Sequence, residues 1–219
     1  MLQSYSMKDL LRKKELDQTA VDIEFLLISV VQGVALAALA TSAAPIIGDL
    51  NFEYFFYVLS AFLFILIFWS AAVSHVLSFI DWPLDMTHNF LYFLASFLEV
   101  MAFSYLKDPL RWFMFISLFL FVIGILYVWD LRLIKQHKTV LRKKLYDDVL
   151  KEQNYELTML FPAGLAYSLV VTFAIALYPK IFIASHYHIA FAAIQAALGI
   201  FVLITSTRAF KRRAKLLEE

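Results

Sequence analysis

The chain has 219 residues, 62% of them hydrophobic and only 17% charged, with a formal net charge of +1. Water-soluble domains are about 45–50% apolar and about 25% charged, so a cytosolic enzyme, a nucleic-acid binder and a disordered regulator are set aside and a polytopic membrane protein remains. The absence of cysteine removes disulfides, thiolate metal sites and thiol catalysis.

A helix needs about 20 mostly apolar residues to cross a hydrocarbon core of about 30 Å. Six stretches meet that requirement, at about 25–47, 54–80, 88–106, 110–131, 159–179 and 187–208. The apolar runs are continuous rather than alternating, which favours helices over barrel strands. The expected fold is all-α: a polytopic domain of six transmembrane helices over 25–208, an N-terminal segment 1–24 and a basic tail 209–219. Lys and Arg sort to one side of this arrangement. Lys8, Arg12, Lys13 and Lys14 precede span one, seven more lie between Arg132 and Lys151, and five follow span six from Arg208 to Lys215. Only Lys107, Arg111 and Lys180 fall on the other side. The bias of basic residues toward the cytoplasm then puts both termini inside, in a plasma (inner) membrane.

Residues 1–24 are mixed in charge and do not read as a cleavable signal. Lys8–Asp17 alternates charge with leucine and reads as a short helix on the cytoplasmic face. Span one carries small residues at every fourth position, Ser29, Gly33, Ala37 and Thr41. Such a stripe permits close helix packing or suits the lining of a narrow pore. Gln32 is the polar residue in its inner third, and Pro45 with Gly48 closes it.

The hairpin between spans two and three concentrates His75, Asp81, Asp85, His88 and Asn89. Two imidazoles and two carboxylates have the chemistry for a divalent ion, but the spacing matches no metal motif, and Asp81 and Thr87 also suit helix caps. No metal and no cofactor is expected. Span three contains Glu99, a carboxyl at bilayer depth, where a charge costs about 2.5–3.5 kcal/mol or more and marks a pathway or a bundle contact. Tyr92, Ser96 and Glu99 share one helix face. The connection 132–157 repeats Ile134, Leu141, Leu145 and Val149 at helical spacing with basic residues between. It reads as an amphipathic cytoplasmic helix, either a solvated connector or a surface for anionic lipid or a cytosolic partner. In spans five and six, Ser168, Thr172 and Gln195 suit interhelix hydrogen bonds. His186 and His188, two apart, would point to different faces of a helix.

Phe68-Trp69, His75 and the Asn89-Phe90-Leu91-Tyr92-Phe93-Leu94 start of span three, with Gly33-Val34 and the small-apolar run to Pro45, resemble the transmembrane protein 175 family of potassium channels. The Arg-x-x-x-Phe-Ser-Asp motif of that family's first helix is absent here. The resemblance implies six helices, both ends cytoplasmic and a pore lined by the first helix, with Leu36 near its constriction.

No catalytic motif is present, so an enzyme is not expected. The leading expectation is a homo-oligomer, dimer or tetramer, that passes monovalent cations, with Ser29, Gln32, Leu36 and Thr41 beside the axis and Glu99 tuning preference. The alternatives are a proton-coupled small-solute transporter built on Glu99, and a signalling or effector module that docks a partner through 132–157. The expected partners are the bilayer, the cation and further copies of the chain, with no nucleic acid.

Overall fold

The computed structural model describes the backbone of residues 7–78, 85–136 and 143–218. The described residues are helical apart from short turns, without a strand. In chain order they form α1 (Met7–Gly48), a 3-10 turn (Phe52–Tyr54), α2 (Phe55–Ser78), α3 (Met86–Phe103), α4 (Pro109–Gln136), α5 (Lys143–Tyr155), a π-helical turn (Glu156–Leu160), α6 (Phe161–Leu177), α7 (Pro179–Phe182) and α8 (Tyr187–Glu218).

Five of these stretches are long and apolar enough to cross a membrane: 21–48, 52–74, 109–136, 143–177 and 187–215. The sixth sequence-expected span, α3, has 18 residues, about 27 Å at 1.5 Å per residue. Its His88, Asn89 and Glu99 make it the least apolar of the six.

In α1 the buried positions are Ile28, Gln32, Ala35, Leu39, Ala43 and Ile46. That spacing is one face of a 3.6-residue helix. The helix runs unbroken from Met7, so Lys8–Asp17 is its first part and not the separate short helix expected. Pro45 is accommodated in the last turn, and Leu50, in the left-handed region at φ 51°, turns the chain toward the 3-10 turn. Asp85 caps α3 by accepting from the His88 amide at 2.8 Å; the cap expected at Asp81 lies outside the described residues.

The helices alternate up and down. α1 packs on α2 and α3, α3 on α4, α4 on α6, and α2 on α8. One end of the bundle, here the Glu53 end, holds the α1–α2 and α3–α4 turns and the start of α8. Its core is aromatic: the Tyr57 ring lies 5.5 Å from that of Trp112, and Trp112 donates its indole N–H to Gln195 Oε1 at 2.9 Å. The other, the Arg213 end, holds the start of α3, the end of α4, α5 and the basic end of α8.

A polar seam ties α4 to α6 in the apolar layer. Ser117 Oγ lies 2.8 Å from Ser168 Oγ, and Ser168 donates to the Phe113 carbonyl at 3.1 Å. Ser168 and Gln195 therefore hold helices together, as their residue types suggest. Gly124 admits α6 closely: a Cβ there would collide with the Phe161 ring. Gly124→Val should destabilise by about 1–3 kcal/mol through overpacking, read as a lower thermal midpoint in detergent; an unchanged midpoint would show that the ring yields freely.

Of the expected amphipathic connection 132–157, its first residues end α4, 137–142 with Leu141 lie outside the described residues, and Lys143–Tyr155 form α5, whose apolar face is covered by the chain itself. Leu145, Tyr146 and Val149 form a small core with Leu133 and Ile134. α5 therefore lies against α4 and α8, not with its apolar face free on lipid as one reading had it. Its acidic face meets α8: Arg213 Nη2 donates to Glu152 Oε2 at 2.8 Å, and Arg212 Nε lies 2.7 Å from Asp148 Oδ1. The π-helical turn joins α5 to α6. The Phe161 N–H donates to the Glu156 carbonyl, five residues back, one position before Pro162, which has no N–H to offer the Thr158 carbonyl. The basic tail 209–219 continues α8 through Glu218.

Candidate functional site: a buried carboxyl at the end of a polar file

α3 places His88, Tyr92, Ser96 and Glu99 at i, i+4, i+8 and i+11, one stripe of the helix. Tyr92, Ser96 and Glu99 are all buried, and Glu99 is 0% exposed. The shared face expected from spacing is therefore present, and it turns inward onto α1. There it meets Gln32, also buried. The Gln32 amide donates to the Tyr92 hydroxyl at 3.4 Å, and its side chain lies close enough to the Glu99 carboxyl to interact with it. Even so, neither Glu99 oxygen has a hydrogen-bond partner of ordinary geometry, and Gln32 Oε1 is also unpaired.

Burying a lone carboxylate without partners costs several kcal/mol or more. The neutral acid avoids most of that cost. The ionised form of Glu99 needs a donor or cation brought to it. The Ser96 hydroxyl is taken by the Tyr92 carbonyl at 3.0 Å, so Gln32 and Tyr92 are the side chains that can respond.

At the Arg213 end the stripe reaches a second cluster. His88 Nδ1 lies 2.7 Å from Asp130 Oδ1, and Trp129 donates its indole N–H to Asp85 Oδ1 at 3.0 Å. The His88 and Asp130 side chains are only 13% and 2% exposed. The α3 stripe therefore runs from a histidine–aspartate pair at one end to a buried carboxyl deeper in the bundle.

The residues singled out in the sequence fall into three groups. Gln32, Asp85, His88 and Glu99 come together along this file. Ser29, Leu36 and Thr41 do not join them: all three are exposed, with Leu36 47% exposed, Ser29 and Leu36 flanking the Gln32 face at three and four residues from it and Thr41 lying on the far side of the helix. Of the residues expected along α1, Gln32 alone is buried, and Leu36, one turn on, is exposed beside it. Thr41 bonds its own helix, donating to the Ala37 carbonyl at 2.9 Å. The side chain of His75, and Asp81 entirely, lie outside the described residues. Asn89 is half-buried at the first turn of α3. The hairpin acids and histidine that are described have other work: Asp85 caps a helix and holds Trp129, while His88 pairs with Asp130.

Asp130 and Trp129 were not evident from sequence. Both sit in the last turns of span four, where an acid and a tryptophan read as ordinary interfacial punctuation. The only available signal was that Asp130 still lies within the apolar run.

A cavity of about 170 Å³ opens between α2, α4, α6 and α8. Phe64, Phe68, Phe119 and Tyr167 line it, with Gln195 toward one end and Glu156 and Ser206 toward the other. Phe68 also packs against Tyr92, with ring centroids 4.8 Å apart. One aromatic side chain is therefore the common wall of the cavity and the polar file.

Comparison with protein-family models, with curated proteins and with solved structures finds no match.

Proposed function

We propose that this chain is a proton-coupled membrane transporter of a small, mostly apolar solute, with Glu99 as its proton-carrying group. The carrying observation is the Glu99 carboxyl, fully buried and with both oxygens unpartnered. Such a group changes its surroundings when it changes charge, which is what coupling a proton to a structural change requires. The cavity fits the solute half of the reading: it is apolar with a few polar groups, as small-molecule sites are. Phe68, shared by cavity and file, gives the two a mechanical contact. The His88–Asp130 pair is the entry relay at the Arg213 end.

The same reading takes α3 as a sixth crossing, with both chain ends on the cytoplasmic side of an inner membrane. It rests on the antiparallel packing of α3 between α1 and α4 and on the crowding of Lys and Arg at one end of the bundle. Asp130→Asn keeps the shape of the relay and removes its charge; it should slow proton uptake about tenfold while the protein still folds. Uptake at the wild-type rate would remove the pair from the path.

A second reading, an oligomeric cation channel around α1, is supported by the exposed stripe of Ser29, Gly33, Ala37 and Thr41, and by the resemblance to the transmembrane protein 175 family. Purified protein in liposomes separates the two. Under the transporter reading, proton flux driven by a pH gradient is lost in Glu99→Gln and kept in Leu36→Asn. Under the channel reading, potassium flux changes in Leu36→Asn and persists in Glu99→Gln.

A further inference from the structure

At the Glu53 end, far along the bundle from the His88–Asp130 pair, three side chains from two separate segments converge on one point. His186 Nδ1 lies 3.0 Å from Glu53 Oε1, and His188 Nε2 lies 3.1 Å from the same oxygen. One ligand atom from each of the three residues lies within 4.8 Å of the others. We propose that Glu53, His186 and His188 form a binding site for a divalent first-row transition metal of the zinc class.

Two imidazoles and one carboxylate are a complete protein donor set for zinc, with a fourth position left for water. Bonds of about 2.0–2.1 Å in a tetrahedron set donor atoms about 3.3 Å apart, close to the two short separations here. The third separation closes by rotation of His186, whose side chain is 62% exposed. The backbone also aims His186: it sits at φ 58°, a left-handed conformation that is uncommon for a residue other than glycine. That conformation is why the two histidines converge. His186 precedes α8, so the helical rule that sends residues two apart to different faces does not govern it.

His188 is held as metal-binding histidines are, through its other nitrogen. It is 0% exposed. Its Nδ1 lies 3.1 Å from the Tyr57 hydroxyl, which also lies 3.3 Å from the His188 carbonyl. When Nε2 binds a metal, Nδ1–H donates to the Tyr57 oxygen and the Tyr57 O–H donates to that carbonyl. Without metal, Tyr57 donates to Nδ1 and Nε2–H donates to Glu53. One hydroxyl serves both states without moving its heavy atoms. Tyr54, stacked on the His188 ring at 6.2 Å between centroids, fixes the ring plane.

The test is zinc binding to the tag-free full-length protein in detergent, by calorimetry, with tetrahedral absorption bands of cobalt(II) as the spectroscopic reading. One equivalent per chain is expected. His186→Ala, at an exposed position, and Glu53→Gln should each weaken binding at least tenfold and remove the cobalt bands. Tyr57→Phe should weaken it about tenfold through the lost second partner of His188, while Asp130→Asn at the other end should leave it unchanged. No stoichiometric binding to the wild type, or full affinity in either His186→Ala or Glu53→Gln, overturns the proposal.

Discussion

Glu99→Gln is expected to abolish proton-driven uptake while leaving the fold intact. Glutamine matches glutamate in size and reproduces the neutral acid's shape, so the α1–α3 contact with Gln32 and Tyr92 survives. It cannot bind and release a proton. The two readouts therefore separate: flux falls to the level of empty liposomes, while thermal stability changes by less than about 1 kcal/mol, the range for a replacement that opens no cavity and adds no buried charge. Glu99→Asp restores the acid but withdraws it by one methylene from Gln32. Partial flux, at least tenfold below wild type, is the expected result. If Glu99→Gln transported protons normally, Glu99 would be a packing residue whose buried carboxyl has no part in transport.

Arg213→Ala is expected to be the most damaging single change to stability. Arg213 is 6% exposed near the end of α8 and donates to Glu152 on α5 at 2.8 Å. Removing one partner of a buried pair leaves the other charge uncompensated, which costs about 3–5 kcal/mol. Arg212 also approaches Glu152, at 3.5 Å, and offsets part of that, so a loss of about 3 kcal/mol is expected. In a chain of this size that is roughly a 6–12 °C fall in melting temperature. A double-mutant cycle with Glu152→Gln isolates the pair, because both single variants should cost more than the pair removed together. A fall of a degree or less in Arg213→Ala would mean that α5 is held by its apolar core alone.

The reasons why some of this was legible in the sequence and some was not are physical. Continuous apolar runs leave a membrane chain little choice but helix, so α1, α2, α4, α6 and α8 fall close to their expected places. The i, i+4 rule joined Tyr92, Ser96 and Glu99 because all three lie on one uninterrupted helix. The same local rule misled where the backbone leaves the helix. His186 and His188 converge only through the left-handed residue ahead of α8, and periodicity cannot see that. It also could not say which face of α1 turns inward: the small-residue stripe and the Gln32 face are both plausible contact faces, and the larger buried face, from Ile28 to Ile46, is the one the bundle uses. The apolar stripe of α5 was visible. That it closes on Leu133 and Ile134, and not on a lipid surface, follows from α8 supplying Arg212 and Arg213 opposite Asp148 and Glu152, a pairing across about sixty residues that no local pattern encodes. Asp130 is the same kind of case, a partner for His88 set by the antiparallel packing of α3 on α4.

The central claim is that Glu99 holds a proton in an apolar interior. A hydrophobic carbodiimide reacts with protonated carboxyls in such surroundings, so treatment of the reconstituted protein followed by peptide mass mapping tests it directly. The account predicts modification at Glu99, with proton flux lost in step with labelling. A protein that stays active and carries no label at Glu99 after treatment would contradict it.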